Sequence, residues 1–186
     1  MANKDAAFGL KAIGKVGQNR DNQGLSEYSI AASSTAIYQN DPVKMANTGE
    51  IEVGAAAEVL LGSLNGVFFT DATTSKPTYA NHLKAANTAT DIVGFVSDDP
   101  YERFEVQSAG TVAQTNIGNC ADISYSAGSS PNFVSKTEIS GTMAATAAQL
   151  KIIGVSKDPD NDELGAANAN VVVTINEHFL KQTAGV

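Results

Sequence analysis

Residues 92–108 read Ile92-Val93-Gly94-Phe95-Val96-Ser97-Asp98-Asp99-Pro100-Tyr101-Glu102-Arg103-Phe104-Glu105-Val106-Gln107-Ser108. Two apolar runs flank Asp-Asp-Pro-Tyr, which is turn chemistry: acceptor side chains, then a proline that fixes φ and has no N–H to donate. After the turn, Phe104 and Val106 alternate with Glu105 and Gln107, the period of a strand with one wet face. Before it, Ile92, Val93, Phe95 and Val96 form a nearly continuous apolar run, as expected of a strand covered on both faces. This stretch predicts a central hairpin of an all-β domain.

The flanking sequence extends that reading. Strands are predicted around Ala36–Tyr38, Val43–Ala46, Ile51–Val53, Asp122–Tyr125, Leu150–Ser156 and Asn170–Phe179. Asn65-Gly66, between Val59–Leu64 and Val67–Phe69, carries hairpin-turn chemistry. Residues 71–91 are polar and read as a long connection, and loops of that length are usually functional or covered by a neighbour. Residues 110–118 fit one or two helical turns ending at Gly118, and Thr142–Ala148 is Ala-rich enough for another. Glycine recurs within apolar runs at Gly62, Gly94 and Gly154, where strands bulge or pass closely at barrel corners. The expected fold is all-β, a small barrel or sandwich of short antiparallel strands with an extended N-terminal arm.

That arm, residues 1–34, differs from the β-rich domain at 35–186. Phe8, Leu10, Ile13 and Val16 recur singly among Gly, Asn and Gln, keeping neither a helical nor a strand period. Such a segment buries too little on itself to offset its ordering entropy, yet it is too apolar for a solvated tail. Two readings stay open: it lies along a partner, or it wraps its own domain. Lys4, Lys11, Lys15 and Arg20 leave the first 26 residues at +2 and the remainder at −10, which could steer the arm toward an acidic surface.

Composition narrows the function classes. Of 186 residues, 42% are hydrophobic, enough for a core, and the net charge is −8. No Lys/Arg cluster suited to phosphates occurs, so nucleic acid is not an expected partner. No apolar run reaches membrane-helix length, and none follows the first charges as in a signal peptide. Cys120 stands alone and reads as a small buried hydrophobe; a nucleophile would need His82 or His178 beside it. Asp158-Pro159-Asp160-Asn161-Asp162-Glu163-Leu164-Gly165 spaces carboxylates as a calcium loop does. Glu163 stands where such a loop needs glycine, however, and Ala169 where it needs a bidentate glutamate, so an exposed turn is favoured. Asp98 and Asp99 beside Tyr101, Glu102 and Glu105 could form a paired-carboxylate acid–base site, but adjacent turn aspartates usually point apart. No catalytic residue, cofactor or metal site is expected, and the chain reads as non-enzymatic.

The run Val96-Ser97-Asp98-Asp99-Pro100 with Phe104-Glu105-Val106-Gln107 resembles a signature of tailed-bacteriophage head decoration, or capsid cement, proteins. Ile117-Gly118-Asn119 with Ala121-Asp122-Ile123, Leu150-Lys151-Ile152-Ile153-Gly154 and Val172-Val173-Thr174-Ile175-Asn176-Glu177-His178 follow in the same order. The resemblance covers residues 40–180 and implies a β-rich homotrimer made in the host cytoplasm. It would sit on the virion's capsid exterior and cement contacts between major capsid protein subunits. The partner-binding candidates are then Phe8, Leu10, Ile13, Val16 and Arg20, and deleting residues 1–30 is expected to abolish attachment without unfolding the domain. The alternative is a virion fibre or adhesin-like protein that binds the host surface. For it, the missing tryptophan counts against an aromatic sugar platform.

Overall fold

A computed structural model describes residues 2–17, 24–32, 34–183 and 185. In chain order the strands are β1 (Lys11–Lys15), β2 (Ser26–Ser29), β3 (Ile37–Tyr38), β4 (Pro42–Met45), β5 (Ile51–Val53), β6 (Gly62–Thr70), β7 (Pro77–Ala80) and β8 (His82–Leu83). They continue with β9 (Val93–Ser97), β10 (Glu102–Gln107), β11 (Cys120–Ala121), β12 (Ile123–Ser124), β13 (Glu138–Ile139), β14 (Leu150–Val155) and β15 (Asn170–Ile175). The fold is all-β, its strand ladders antiparallel.

The strands form a six-stranded sheet, a five-stranded sheet and two two-stranded ones, and isolated bridges curl each larger sheet back toward itself into a barrel-like half. One runs β2-β9-β6-β4-β5, and a parallel bridge from Ile30 to Ile51 joins its ends. Ile30, Val43, Ile51, Leu61, Leu64, Val67 and Val96 fill it. The other runs β1-β10-β15-β14-β11; the chain passes through Asp122 into β12, which pairs β13, and a bridge from Ser108 to Ile139 returns to the end of β10. Phe104, Val106, Ile123, Ile139, Leu150, Ile152, Val171, Val173 and Ile175 fill this second barrel. In β10 burial alternates: Phe104 and Val106 are buried beside half-buried Arg103 and Glu105.

Residues 92–108 therefore do not form a hairpin. β9 pairs with β2 and β6 in the first barrel, whereas β10 pairs with β1 and β15 in the second. The turn chemistry at Asp98–Tyr101 was legible, but it serves the crossing between barrels. β9 also alternates: Gly94 and Val96 face in, Val93 and Phe95 face out. Asn65-Gly66 is not a turn either. β6 runs straight through it with a bulge between Leu64 and Gly66, because β4 and β7 share one of its edges and β9 takes the other. Within 71–91, β7 extends the first sheet and β8 pairs β3. Residues 142–148 form no helix; Ala144 bridges Cys120. Only Gln114–Asn116 winds into a single 3₁₀ turn before Gly118.

Two of the recurrent glycines mark close approaches. A Cβ on Gly62 would stand 2.1 Å from the Ser97 carbonyl oxygen, and one on Gly94 would stand 2.9 Å from the Cδ1 atoms of Ile30 and Ile51. Gly154 instead sits at a bulge in β14, with open space beside it.

The leading segment is extended, as expected, and of the two readings the described residues follow the second: they wrap their own domain. β1 pairs β10, β2 pairs β9, and Leu10 is wholly buried in the second core. Further back, Leu60 of the first half enters the same core, and its backbone bonds Glu177 and Phe179. Gln149 ties the halves again, its Nε2 donating to the carbonyls of Ala55 and Glu58 at 2.7 Å each. Deleting residues 1–30 would remove a strand from each barrel, so the expectation that such a deletion spares the fold is withdrawn.

Candidate functional site

The barrel-crossing turn gathers exposed apolar groups from three distant parts of the chain. Asp99 anchors it: its Oδ1 accepts the Tyr101 N–H at 2.8 Å, and its Oδ2 meets Lys15 Nζ at 2.6 Å. Burial alone would raise the Asp99 pKa, but the Lys15 and Tyr101 hydrogen bonds outweigh it and hold the carboxyl below its usual range. Asp98 turns the other way, accepting from Ser26 Oγ at 2.9 Å and Tyr28 Oη at 2.6 Å. The two carboxylates have separate structural partners, one stitching β1 to the turn and the other stitching β2.

That stitching leads Val16 past Tyr101, whose carbonyl accepts the Val16 N–H at 2.8 Å. From the C-terminal side, a 3₁₀ turn at Phe179–Lys181 places Lys181 Nζ 5.0 Å from the Tyr101 ring centroid. Beneath it His178 is buried, its Nδ1 accepting the Leu180 N–H at 3.1 Å. Burial, then the nearby Lys181 charge, push the His178 pKa down to about 4, so the ring is a neutral packing group at ordinary pH. Around it Val16 is 49% exposed, Tyr101 63% and Leu180 52%, beside the charged groups of Lys15, Asp99 and Lys181. The Val16 backbone bonds that of Tyr101 and Lys181 reaches over the Tyr101 ring, so residues from three distant parts of the chain meet at this turn.

The sequence-predicted candidates divide. Ile13 and Val16 are exposed on or just after β1. Phe8 is half-buried, its carbonyl accepting from Asn40 Nδ2 at 3.0 Å. Leu10 is a core residue and offers a partner nothing; Gly9 makes this possible, with φ at +75° and a position where a Cβ would stand 2.3 Å from the Asn40 oxygen. Arg20 lies outside the described residues. Tyr101 and Leu180 were not singled out from sequence. Tyr101 sat inside a turn read as structural, and Leu180 followed a strand predicted to run on to Phe179.

The other candidates have structural employment. Carboxylates of the 158–163 segment hold the N-terminal segment and the loop itself. Asp160 meets Lys4 Nζ at 2.5 Å, Asp158 Oδ2 accepts from Asn170 Nδ2 at 3.1 Å, and Asn3 Nδ2 donates to the carbonyls of Glu163 and Ala167. Among the described residues no group of His, Cys, Asp and Glu has metal-site geometry. Cys120 is half-buried on β11, opposite Lys151. His82 stacks on Phe133 with centroids 3.9 Å apart and planes 3° apart.

The chain matches no family model, and neither curated proteins nor solved structures show a significant match to it.

Proposed function

We propose that this chain is a non-enzymatic structural protein of a tailed-phage virion, seated on the outside of the capsid shell and cementing contacts between major capsid protein subunits, as a homotrimer. The observation that carries the reading is the cluster at the barrel-crossing turn, where exposed Val16 and Tyr101 meet the Phe179–Lys181 turn with its exposed Leu180, on a molecule of net charge −8. The order of motifs from residue 40 to 180 supports it independently. Shell binding of this kind needs no deep site: symmetry repeats a modest contact many times, and linked contacts gain through effective concentration.

The test is co-sedimentation of the purified full chain with empty shells of its cognate major capsid protein. Binding is expected with wild type and weakened at least about tenfold in a Tyr101→Ser/Leu180→Ser double variant, with thermal stability unchanged. Equal binding by the double variant, or none by wild type, overturns the proposal. A host-surface adhesin, the alternative, would bind whole cells and ignore the shells.

A further inference from the structure

On the first barrel's outer face, Tyr79 stands 75% exposed on the edge strand β7. It lies directly across from Phe68 on β6, with ring centroids 4.8 Å apart. Its plane is within 16° of the Phe95 ring on β9, centroids 6.4 Å apart. Between them on β6, Gly66 is the residue opposite Phe95. At that spacing the rings form an aromatic pair with no room for a third layer between them. The surface available to a ligand is therefore the open face of the Tyr79 ring, a platform beside a shallow hollow of about 380 Å³.

The walls of the hollow decide its ligand. Beside Tyr79 and Phe95 they carry three carboxamides, Gln39, Asn65 and Asn81, and no charged group. Asn81 is fixed, its Nδ2 donating to the Asn132 carbonyl at 2.9 Å and its Oδ1 meeting His82 Nδ1 at 3.1 Å. Asn65 is exposed, and among the described residues its amide makes no hydrogen bond. Carboxamides each offer paired donors and acceptors, which match vicinal hydroxyls; an exposed ring face matches the C–H face of a pyranose. A second hollow of about 240 Å³ shares Gln39 and Asn65 and continues toward Ser63. Its one cation, Lys11, is paired with Glu105 at 3.3 Å. Two hollows meeting at a shared pair of amides suit a chain of sugars better than a single unit.

We infer that this face binds an uncharged oligosaccharide, with one pyranose ring stacked on Tyr79 and its hydroxyls on Gln39 and Asn65. The absent tryptophan, which counted against a sugar platform in the sequence, is replaced here by tyrosine and phenylalanine.

The experiment is an array of neutral and anionic oligosaccharides probed with the full wild-type chain, followed by calorimetric titration of the best neutral binder. Binding to a neutral glycan is expected, weakened at least about tenfold by Tyr79→Ala and by Asn65→Ala. Tyr79→Phe is expected to retain it, since the ring face remains, and Tyr101→Ala to leave it unchanged. Thermal melts of all four variants should overlay wild type, because the altered side chains lie outside both cores. Binding to no neutral glycan, a preference for anionic ones, or full affinity in Tyr79→Ala overturns the inference. So does self-association that Tyr79→Ala abolishes in the absence of sugar binding, which would make the ring a contact between copies. Shell co-sedimentation reads a different surface, so failure of one proposal leaves the other standing.

Discussion

Replacing Asp41 with asparagine should stabilise this protein at neutral pH and do little in acid. Asp41 is 0% exposed, on the turn entering β4. Its Oδ2 accepts the Tyr38 N–H at 2.8 Å, while its buried Oδ1 has no hydrogen-bond partner. Burial raises its pKa from 3.8 to about 6, against the opposing pull of the Ser135 hydroxyl, the Tyr38 N–H and the Tyr125 hydroxyl. Between those two values the native state holds a proton the unfolded chain has released. Its stability therefore falls as pH rises through that window, by about 3 kcal/mol for a shift of roughly two units. Asparagine keeps the acceptor for Tyr38 and carries no charge to desolvate, so most of that cost should vanish at pH 7.5. An expected gain of about 2 kcal/mol corresponds to roughly 4–8 °C in Tm for a chain of this size. The assay is urea and thermal unfolding of both proteins at pH 4.0 and 7.5, read by circular dichroism. His178 acts in the opposite sense: its depressed pKa makes stability fall as pH drops from 6.5 toward about 4. The wild-type profile should thus be flatter than either group alone would make it, and the variant should lose stability in mild acid more steeply. A variant less stable at pH 7.5, or one with the same advantage at both pH values, would refute the reasoning.

Leu10→Ala should cost about 2–5 kcal/mol, the range for emptying a buried leucine site, and chemical denaturation would measure it; a cost near zero would free the leading segment from the core. Gly62→Ala should damage the first barrel more than Gly94→Ala, and comparing their denaturation midpoints decides it. The added methyl at 62 meets backbone at 2.1 Å, whereas at 94 it meets the mobile ends of isoleucine side chains at 2.9 Å.

What was legible in the sequence was local. Period-two burial was plain in β10, and β14 and β15 were legible as apolar strand runs. Bend chemistry at Asp98–Tyr101 was equally plain, since Asp99 caps its own turn. Pairing was not legible. A turn reports that the chain changes direction, and only nonlocal contacts tell whether the flanking strands meet. Here Asp98 and Asp99 spend their remaining oxygens on Tyr28 and Lys15, and each flanking strand leaves with a different partner. Asn65-Gly66 misled for a related reason: glycine sits there at a bulge, close against the Ala80 carbonyl, and not at a positive φ. The aromatic platform gave no sequence signal, since Phe68, Tyr79 and Phe95 converge only through the β7-β6-β9 register.

The same nonlocality bears on the tip. Val16 reaches it only if β1 has paired with β10, and Leu180 only if His178 has docked beside Leu60. The turn cluster therefore exists only where both of these nonlocal contacts are made. A partner seated on it selects the fully threaded chain over every state with a loose end, and stabilises that state by mass action. In the proposed shell-binding role, attachment would be coupled to fold integrity: a shell that holds this turn would also hold the β1 and Phe179–Lys181 segments in place.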